Sequence, residues 1–344
     1  MSSPSTVLIT GLSGFIARQT ALELLGSGIR VRGTVRDLSR GRALLESLER
    51  AGADRSSVEL VTADLERDEG WADAVLGVDA VLHLASPFPI QQPRGRLDLV
   101  PAARDGTLRV LKAVKQRGDG VARVVLTSSI AAMMYRAGRS SRFPIREADW
   151  SDPEWPPSTP YIISKTLAER AAWDWARAHE FEDRLVVINP GFVLGPALDG
   201  KAATSIDVIG LILKGAYPAV PPVSYPVVDV RDLARLHAAA LSAEGVAGRR
   251  LIACEGSLSM AEMARILKEE FPDHAKKAPT ATLPAPVVRL LALFDRSLRT
   301  VLPDLNVIPQ PENAYVTELT GVAFRPSREA VIATARSLID RGAV

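Results

Sequence analysis

Tyr161 and Lys165 stand four positions apart in the run Ser-Thr-Pro-Tyr-Ile-Ile-Ser-Lys, residues 158–165, at the start of a stretch with helical character. On a helix that spacing puts phenol and ammonium on one face. A lysine beside a tyrosine favours the phenolate, so the phenol can release or accept a proton nearer neutrality than its ordinary pKa of about 10 allows. The pair is a candidate general acid. Taken alone, Tyr-x-x-x-Lys also arises by chance, as an amphipathic Tyr beside a solvated Lys. Its weight depends on the elements around it.

Those elements alternate strand and helix. An apolar strand at residues 6–10 runs into Gly11-Leu12-Ser13-Gly14-Phe15-Ile16-Ala17 and then a helical stretch at 18–25. Such glycines let the chain turn tightly and bring backbone N–H groups to a pyrophosphate at the helix N-terminus. The spacing Gly-x-x-Gly-x-x-Ala departs from Gly-x-Gly-x-x-Gly in its first interval and at Ala17, which is small enough to keep helix and strand close. A plain β–α connection is the alternative. The next strand, 29–35, ends in Arg36-Asp37. An acid at this point accepts bonds from a ribose 2′-hydroxyl, whereas an arginine pairs with a 2′-phosphate. Arg36 comes first, which favours NADP; the alternative is that Asp37 holds the ribose and the arginines form a solvated face.

A third strand at 58–61 leads to Asp64-Leu65, where Asp64 either accepts a bond from an adenine amino group or caps the next helix. The fourth, within 78–87, ends in Leu84, Ala85 and Ser86, which let a nicotinamide ribose lie close to the backbone, while His83 reads as a packed core residue. After a helix at 99–117, a fifth strand at 122–127 ends in Thr127-Ser128-Ser129, at a carboxyl strand end where open α/β sheets carry their ligand sites. Residues 143–160, with Trp150, Trp155 and five prolines, read as a long loop delivering the chain to Tyr161. A sixth strand at 185–188 continues into Asn189-Pro190-Gly191. Residues 227–233 return to the main domain, and those from about 257 form a helix-rich lobe punctuated by prolines.

Composition narrows the partners. The 344 residues are 47% apolar and 24% charged with a net charge of +2, and the arginines are spread without basic blocks, so nucleic acid is not expected. One cysteine, Cys254, excludes an internal disulfide, and the four histidines lack metal-ligand spacing, so no metal is expected. The first apolar run begins too early for a signal peptide, and no run reaches the roughly 18 residues of a membrane span. The expectation is a cytoplasmic protein with no membrane partner.

Thr10-Gly11-x-x-Gly14-Phe15-Ile16-Ala17, Ser128-Ser129, Tyr161-x-x-x-Lys165 and Asn189-Pro190-Gly191, in this order, resemble an extended short-chain dehydrogenase/reductase. The stretches 31–37, 83–88, 161–170 and 188–196 resemble its dihydroflavonol-reductase-like branch, which includes plant flavonoid reductases, cinnamoyl-CoA reductases and microbial aldehyde and ketone reductases. The resemblance implies a doubly wound, mostly parallel Rossmann sheet over 1–190 and about 225–255. A smaller substrate lobe would take about 191–224 and 256–344. It also implies NADPH-dependent reduction of a small-molecule carbonyl by a monomer or homodimer. Tyr161 becomes the general acid, and Lys165 binds the nicotinamide ribose and lowers the phenol pKa. Ser129 bonds the substrate carbonyl, with Ser128 as runner-up. Gly11, Leu12, Ser13, Gly14, Phe15 and Ile16 face the pyrophosphate, Arg36 the 2′-phosphate, Asp64 and Leu65 the adenine. Pro190, Gly191 and Val193 lie against the nicotinamide.

Hydride arriving at a carbonyl carbon builds negative charge on oxygen, which a serine hydroxyl and a tyrosine proton can meet. Met134 stands where plant flavonoid reductases carry asparagine, which argues against a dihydroflavonol, and the cinnamoyl-CoA reductase signature is missing around Tyr161. Phe88, Ile130, Met134 and Phe192 instead outline an apolar pocket for an aryl or alkyl carbonyl; ordinary core packing is the alternative for each. An epimerase, dehydratase or hydroxysteroid dehydrogenase would share the triad, and net cofactor consumption separates the first two from a reductase. A dinucleotide-sensing protein is the non-catalytic alternative, against which the Tyr–Lys pair argues.

Overall fold

Val7 and Ile9 point to one side of the first strand and Leu8 to the other, and all three are fully buried. A strand buried on both faces needs helices on both, which is the parallel α/β arrangement. The computed structural model describes residues 4–87, 93, 95–117, 120–198 and 204–344. Its strands are β1 (Thr6–Thr10), β2 (Arg30–Val35), β3 (Val58–Thr62), β4 (Ala80–His83), β5 (Arg123–Thr127), β6 (Arg142–Ile145), β7 (Leu185–Pro190), β8 (Phe192–Leu194), β9 (Ser224–Asp229), β10 (Arg250–Ala253), β11 (Gly256–Ser259) and β12 (Ile308–Pro311). Seven of them form one sheet in the order β10-β7-β5-β4-β1-β2-β3, every pairing parallel.

Helices cover both faces. On one side α1 (Phe15–Gly26) and α2 (Gly41–Arg50) bury Ala21, Leu24, Leu44 and Leu48 against the Val7–Ile9 side. On the other, α3 (Trp71–Ala74), α4 (Gly106–Arg117) and α5 (Pro160–Ala178) bury Trp71, Val110, Val114, Ala172 and Trp173 against Leu8. Replacing a fully buried leucine such as Leu8 by alanine would cost about 2–5 kcal/mol through lost transfer energy and the cavity left behind. The chain builds β1, β2 and β3 outward and then crosses back to set β4 on the other side of β1. The sheet therefore reverses direction between β1 and β4, and its ligand crevice lies beyond their carboxyl ends.

After β7 the chain leaves this sheet. β8 pairs in parallel with β9, and β9 antiparallel with β11, in a separate three-stranded sheet. α6 (Thr204–Lys214), α8 (Met260–Glu270) and α12 (Ser327–Ile339) close over it, burying Ile209, Leu213, Met263, Leu267 and Val331. The segment 227–229 thus belongs to the smaller sheet, and the chain rejoins the central layer with α7 (Val230–Ala240), which packs on the α1 side through Leu233 and Leu236. The loop expected over 143–160 opens on β6, which pairs with β12 of the C-terminal region. α9 (Ala285–Leu291) and α10 (Arg296–Arg299) precede that strand. α11 (Ala314–Thr320) follows it and returns Val316 to the central core, so the C-terminal region is shared between lobe and main layer. Among the described residues, no helix is long and apolar enough to cross a membrane, and no cluster of His, Cys, Asp or Glu could hold a metal ion.

Candidate active site

The turn between β1 and α1 is held from below. Gly11 has φ +66, a conformation costly for a residue with a side chain, and a Cβ there would lie 3.0 Å from Ala85. Its N–H donates to Thr34 Oγ1 at 2.9 Å, and Leu12 N–H donates to Thr34 O at 3.0 Å. The Leu12 side chain is fully buried over Gly33, whose own Cβ would collide with it. Leu12 therefore shapes the turn from inside the core, with its N–H already engaged. Ser13 and Gly14 are exposed, and Phe15 and Ile16 open the helix. α5, α7 and α8 are capped by Thr159, Asp229 and Ser259, but α1 has neither a capping side chain nor an acid in its first turn. Uncapped first-turn N–H groups at a positive helix end suit a pyrophosphate.

At the end of β2, Asp37 has a local structural task. Its carboxylate accepts from Ser39 N–H at 2.8 Å and from the Ser39 hydroxyl at 2.7 Å, capping the 3-10 turn Leu38–Arg40, and these bonds hold it below the usual carboxylate range. Arg36 is exposed and has no carboxylate paired with it among the described residues. It lines a groove of about 830 Å³ together with Thr62, Arg67 and Arg109 and with the carboxylates of Asp64, Glu66, Asp68 and Glu69. Asp64 also accepts from Glu66 N–H at 3.1 Å, so it serves as a turn cap at the groove wall. Leu65 packs where a Cβ on Gly106 would fall. An arginine with no direct carboxylate pair among the described residues, at the rim of a groove at the ends of β2 and β3, fits the 2′-phosphate of an adenosine.

At the other side of the crevice, Ala85 N–H donates to Thr10 Oγ1 at 2.9 Å, and the same hydroxyl shares a 2.8 Å hydrogen bond with His83 Nδ1. This joins β4 to β1 at the reversal point. His83 is a core residue as expected, pushed down to about 3 by burial and by the nearby Lys165 charge. Leu84 is half-buried against the central core. Ser86 lines a small cavity with Thr127, Ser128, Lys165 and Glu169.

Tyr161 and Lys165 both lie on the buried side of α5, which starts cleanly because Thr159 caps it and Pro160 takes the first helical position. The Tyr161 hydroxyl is hydrogen-bonded to the Ser129 side chain. Ser129 Oγ also accepts from Ala131 N–H at 3.1 Å. Burial lifts the phenol above its ordinary value, with the Ser129 bond pulling the other way. Lys165 Nζ points to Thr127 O at 3.5 Å, and burial pushes the ammonium down to about 8 while Glu169 pulls it up. Desolvation dominates the phenol, and Lys165 does not figure among the groups that shift it. Tyr161 keeps its proton at neutral pH, the state a general acid requires.

Ser128 is turned away. Its hydroxyl donates to Glu169 Oε2 at 2.5 Å, inside the protein. Asn189 Nδ2 donates to the same oxygen at 2.7 Å and to Ser129 O at 3.1 Å, while Arg250 Nε donates to Glu169 Oε1 at 2.5 Å. Glu169 escaped the sequence reading, although its place four residues after Lys165 put it on the same helix face. His237 Nδ1 donates to Leu233 O at 2.7 Å, and burial pushes the ring down to about 4, so at neutral pH Nε2 accepts from Thr127 Oγ1 at 2.7 Å.

The pocket candidates separate. Ile130 and Met134 are buried in the apolar cluster that also packs Tyr161, Phe143 and Ile162. Phe192 stacks on Tyr225 at 5.0 Å between ring centres in the smaller sheet. Phe88 lies outside the described residues. Pro190 ends β7, Gly191 N–H donates to Ala253 O at 3.2 Å, and Val193 is half-buried in β8 against the central core. Tyr135, also unanticipated, donates to Asp304 at 3.0 Å and ties the segment after Ser129 to the C-terminal region.

A model of the NAD dependent epimerase/dehydratase family matches residues 7–253. The chain is 32% identical over 296 residues to the putative NADPH-dependent methylglyoxal reductase GRP2 of Candida albicans, covering 81% of this chain and 86% of that protein. It is 32% identical over 308 residues to the ketoreductase azaE of Aspergillus niger, covering 85% and 90%. The crystal structure of the yeast methylglyoxal/isovaleraldehyde reductase Gre2 complexed with NADPH superposes with a TM-score of 0.80, over 98% of this chain and 100% of that one, at 25% identity.

Proposed function

The chain belongs to the NAD dependent epimerase/dehydratase family, and from that premise we propose how its residues divide the work of reducing an aldehyde or ketone with NADPH. The observation that carries this is the Ser129–Tyr161 hydrogen bond, one helical turn from Lys165 and across the crevice from the uncapped α1. NADPH, when bound, supplies hydride to the carbonyl carbon. Ser129 donates a hydrogen bond to the carbonyl oxygen, and Tyr161 gives that oxygen its proton as charge develops there. Lys165, still largely charged at neutral pH, holds a ribose hydroxyl and stabilises the phenolate that Tyr161 becomes. Gly11 to Ile16 receive the pyrophosphate, with Leu12 contributing from below. Arg36 pairs with the 2′-phosphate, and Asp64 and Leu65 border the adenine. Leu84, Ala85, Ser86, Pro190, Gly191 and Val193 border the nicotinamide riboside.

The substrate is an apolar, small carbonyl compound, and Phe192 is the half-buried candidate left to border it. The enzyme works in the cytoplasm as a monomer or homodimer. The test is an NADPH-oxidation screen over aldehydes and ketones with wild type and Tyr161→Phe. Stoichiometric consumption with kcat lowered by orders of magnitude in the variant is expected; undiminished turnover would sink the assignment of Tyr161.

A further inference from the structure

Beneath the catalytic residues, three neighbouring strands and one helix meet at a single buried carboxylate. Ser128 follows β5, Asn189 lies in β7 and Arg250 begins β10, and these strands are adjacent in the sheet. All three side chains converge on Glu169 of α5, one turn beyond Lys165. The Glu169 side chain is 0% exposed and that of Arg250 7%. Arg250 in turn donates through Nη1 to Glu147 O at 2.8 Å and Asp149 O at 2.5 Å, fastening the segment that leads to α5. A buried ion pair adds little net stability over apolar residues of the same volume, so its contribution is a defined geometry.

Resting on the function proposed above, we propose that Glu169, anchored by Arg250, is the positioning residue that sets Ser129 against Tyr161. Two routes lead from its carboxylate to Ser129. One runs through Ser128, the preceding residue, and the other through the Asn189 amide, which holds both Glu169 Oε2 and Ser129 O. With the residue before Ser129 and its own carbonyl both fixed, the Ser129 hydroxyl is presented to Tyr161 from the strand side while α5 presents Tyr161 from the helix side. Glu169 is also the anion nearest in sequence to Lys165 on this face. The groups facing the two of them are His83 from β4, neutral through burial, the Thr127 carbonyl and Ser128 from β5, Asn189 from β7, Arg250 from β10 and Tyr161 from the same helix. Glu169 supports the ammonium against the desolvation that weakens it.

The experiment compares wild type, Glu169→Gln and Ser128→Ala by three measurements: NADPH affinity, kcat for a reduced carbonyl across pH, and titration of the Lys165 side-chain NMR signal, assigned by its loss in Lys165→Met. In Glu169→Gln, kcat falls about 100-fold, as for a small misplacement of reacting groups, while NADPH affinity stays within about twofold. The Lys165 midpoint and the alkaline limb of kcat both move to lower pH. In Ser128→Ala, kcat falls about tenfold, the scale of one buried hydrogen bond, with the Lys165 midpoint unmoved. A folded Glu169→Gln with wild-type kcat and an unmoved midpoint overturns the proposal, as does parallel loss of NADPH binding and kcat, which would mark a general structural role. If Glu169→Gln does not fold, an unchanged kcat in Ser128→Ala overturns it. If the wild type reduces no carbonyl, the function proposed above fails, and the Tyr161 phenol, titrated by its ultraviolet signal against Tyr161→Phe, decides. An upward shift in Glu169→Gln, as the Ser129 bond is lost, supports the positioning role, and an unmoved phenol overturns it.

Discussion

Ser128 and Ser129 are consecutive residues whose hydroxyls face opposite partners: Ser128 donates inward to Glu169 at 2.5 Å, and Ser129 is bonded to Tyr161. The extended backbone at the end of β5 sends successive side chains to opposite sides, so only one of the two can meet a substrate. Ser129→Ala should lower kcat about 100-fold or more, the scale of one lost oxyanion donor, with NADPH affinity unchanged. Ser128→Ala should lower it much less. Steady-state kinetics of the two variants side by side checks this, and equal losses would refute the assignment.

Arg36 and Asp37 are likewise neighbours with separate tasks. Asp37 is engaged with Ser39 through both carboxylate oxygens, whereas Arg36 has no carboxylate paired with it among the described residues. Arg36→Ala should reduce the preference for NADPH over NADH, measured as the ratio of kcat/KM values, by about tenfold, as expected for loss of one exposed charge-assisted contact. Asp37→Ala should leave that ratio near wild type. A fall in the ratio for Asp37→Ala alone would return the ribose to the acid.

The buried histidines make stability depend on pH. His83 and His237 stay neutral in the folded chain down to about 3 and about 4, whereas in the unfolded chain they bind protons below their ordinary 6.5. Between those values the unfolded state carries more protons, so stability is fully present above about 6.5 and is lost as pH falls. From pH 7 to pH 5 the two together should cost about 4 kcal/mol. His237→Gln, which can still accept from Thr127 and donate to Leu233 O, should remove about half of that loss in denaturant unfolding at the two pH values. An unchanged slope would mean that His237 titrates freely when folded.

What the sequence disclosed depended on how local each feature was. The β1–turn–α1 unit was legible because apolar run, glycines and helix lie within about twenty residues and constrain one another. Tyr161 and Lys165 were legible because helical spacing places them together whatever surrounds them. The phenol's acidity was not, since burial outweighs the Ser129 hydrogen bond and burial depends on the whole fold. Glu169 could not be matched to Ser128, Asn189 and Arg250 until the sheet order made their strands neighbours. Residues 227–233 read as a return to the main domain, but the pairing of 227–229 with β8 and β11 is decided by partners elsewhere in the chain. Leu12 read as part of the turn that faces the pyrophosphate, and its burial follows from Gly33 on the adjacent strand.

Gly191 is the single residue between β7 of the central sheet and β8 of the smaller one. A Cβ there would lie 2.3 Å from Pro226 O and 2.9 Å from Cys254 Sγ. The carbonyl is backbone of β9 and cannot rotate away, so relief requires the smaller sheet to shift from the central one. Its N–H, bonded to Ala253 O, resists that shift from the other side. Gly191→Ala should therefore destabilise the chain by about 1–3 kcal/mol, the scale of an overpacked site. Because Pro190, Gly191 and Val193 also border the proposed nicotinamide position, NADPH affinity and kcat should fall even at temperatures where the variant is fully folded. Thermal unfolding together with NADPH titration checks both parts. A variant with wild-type melting temperature and wild-type affinity would mean that the two sheets yield at this joint without disturbing the site.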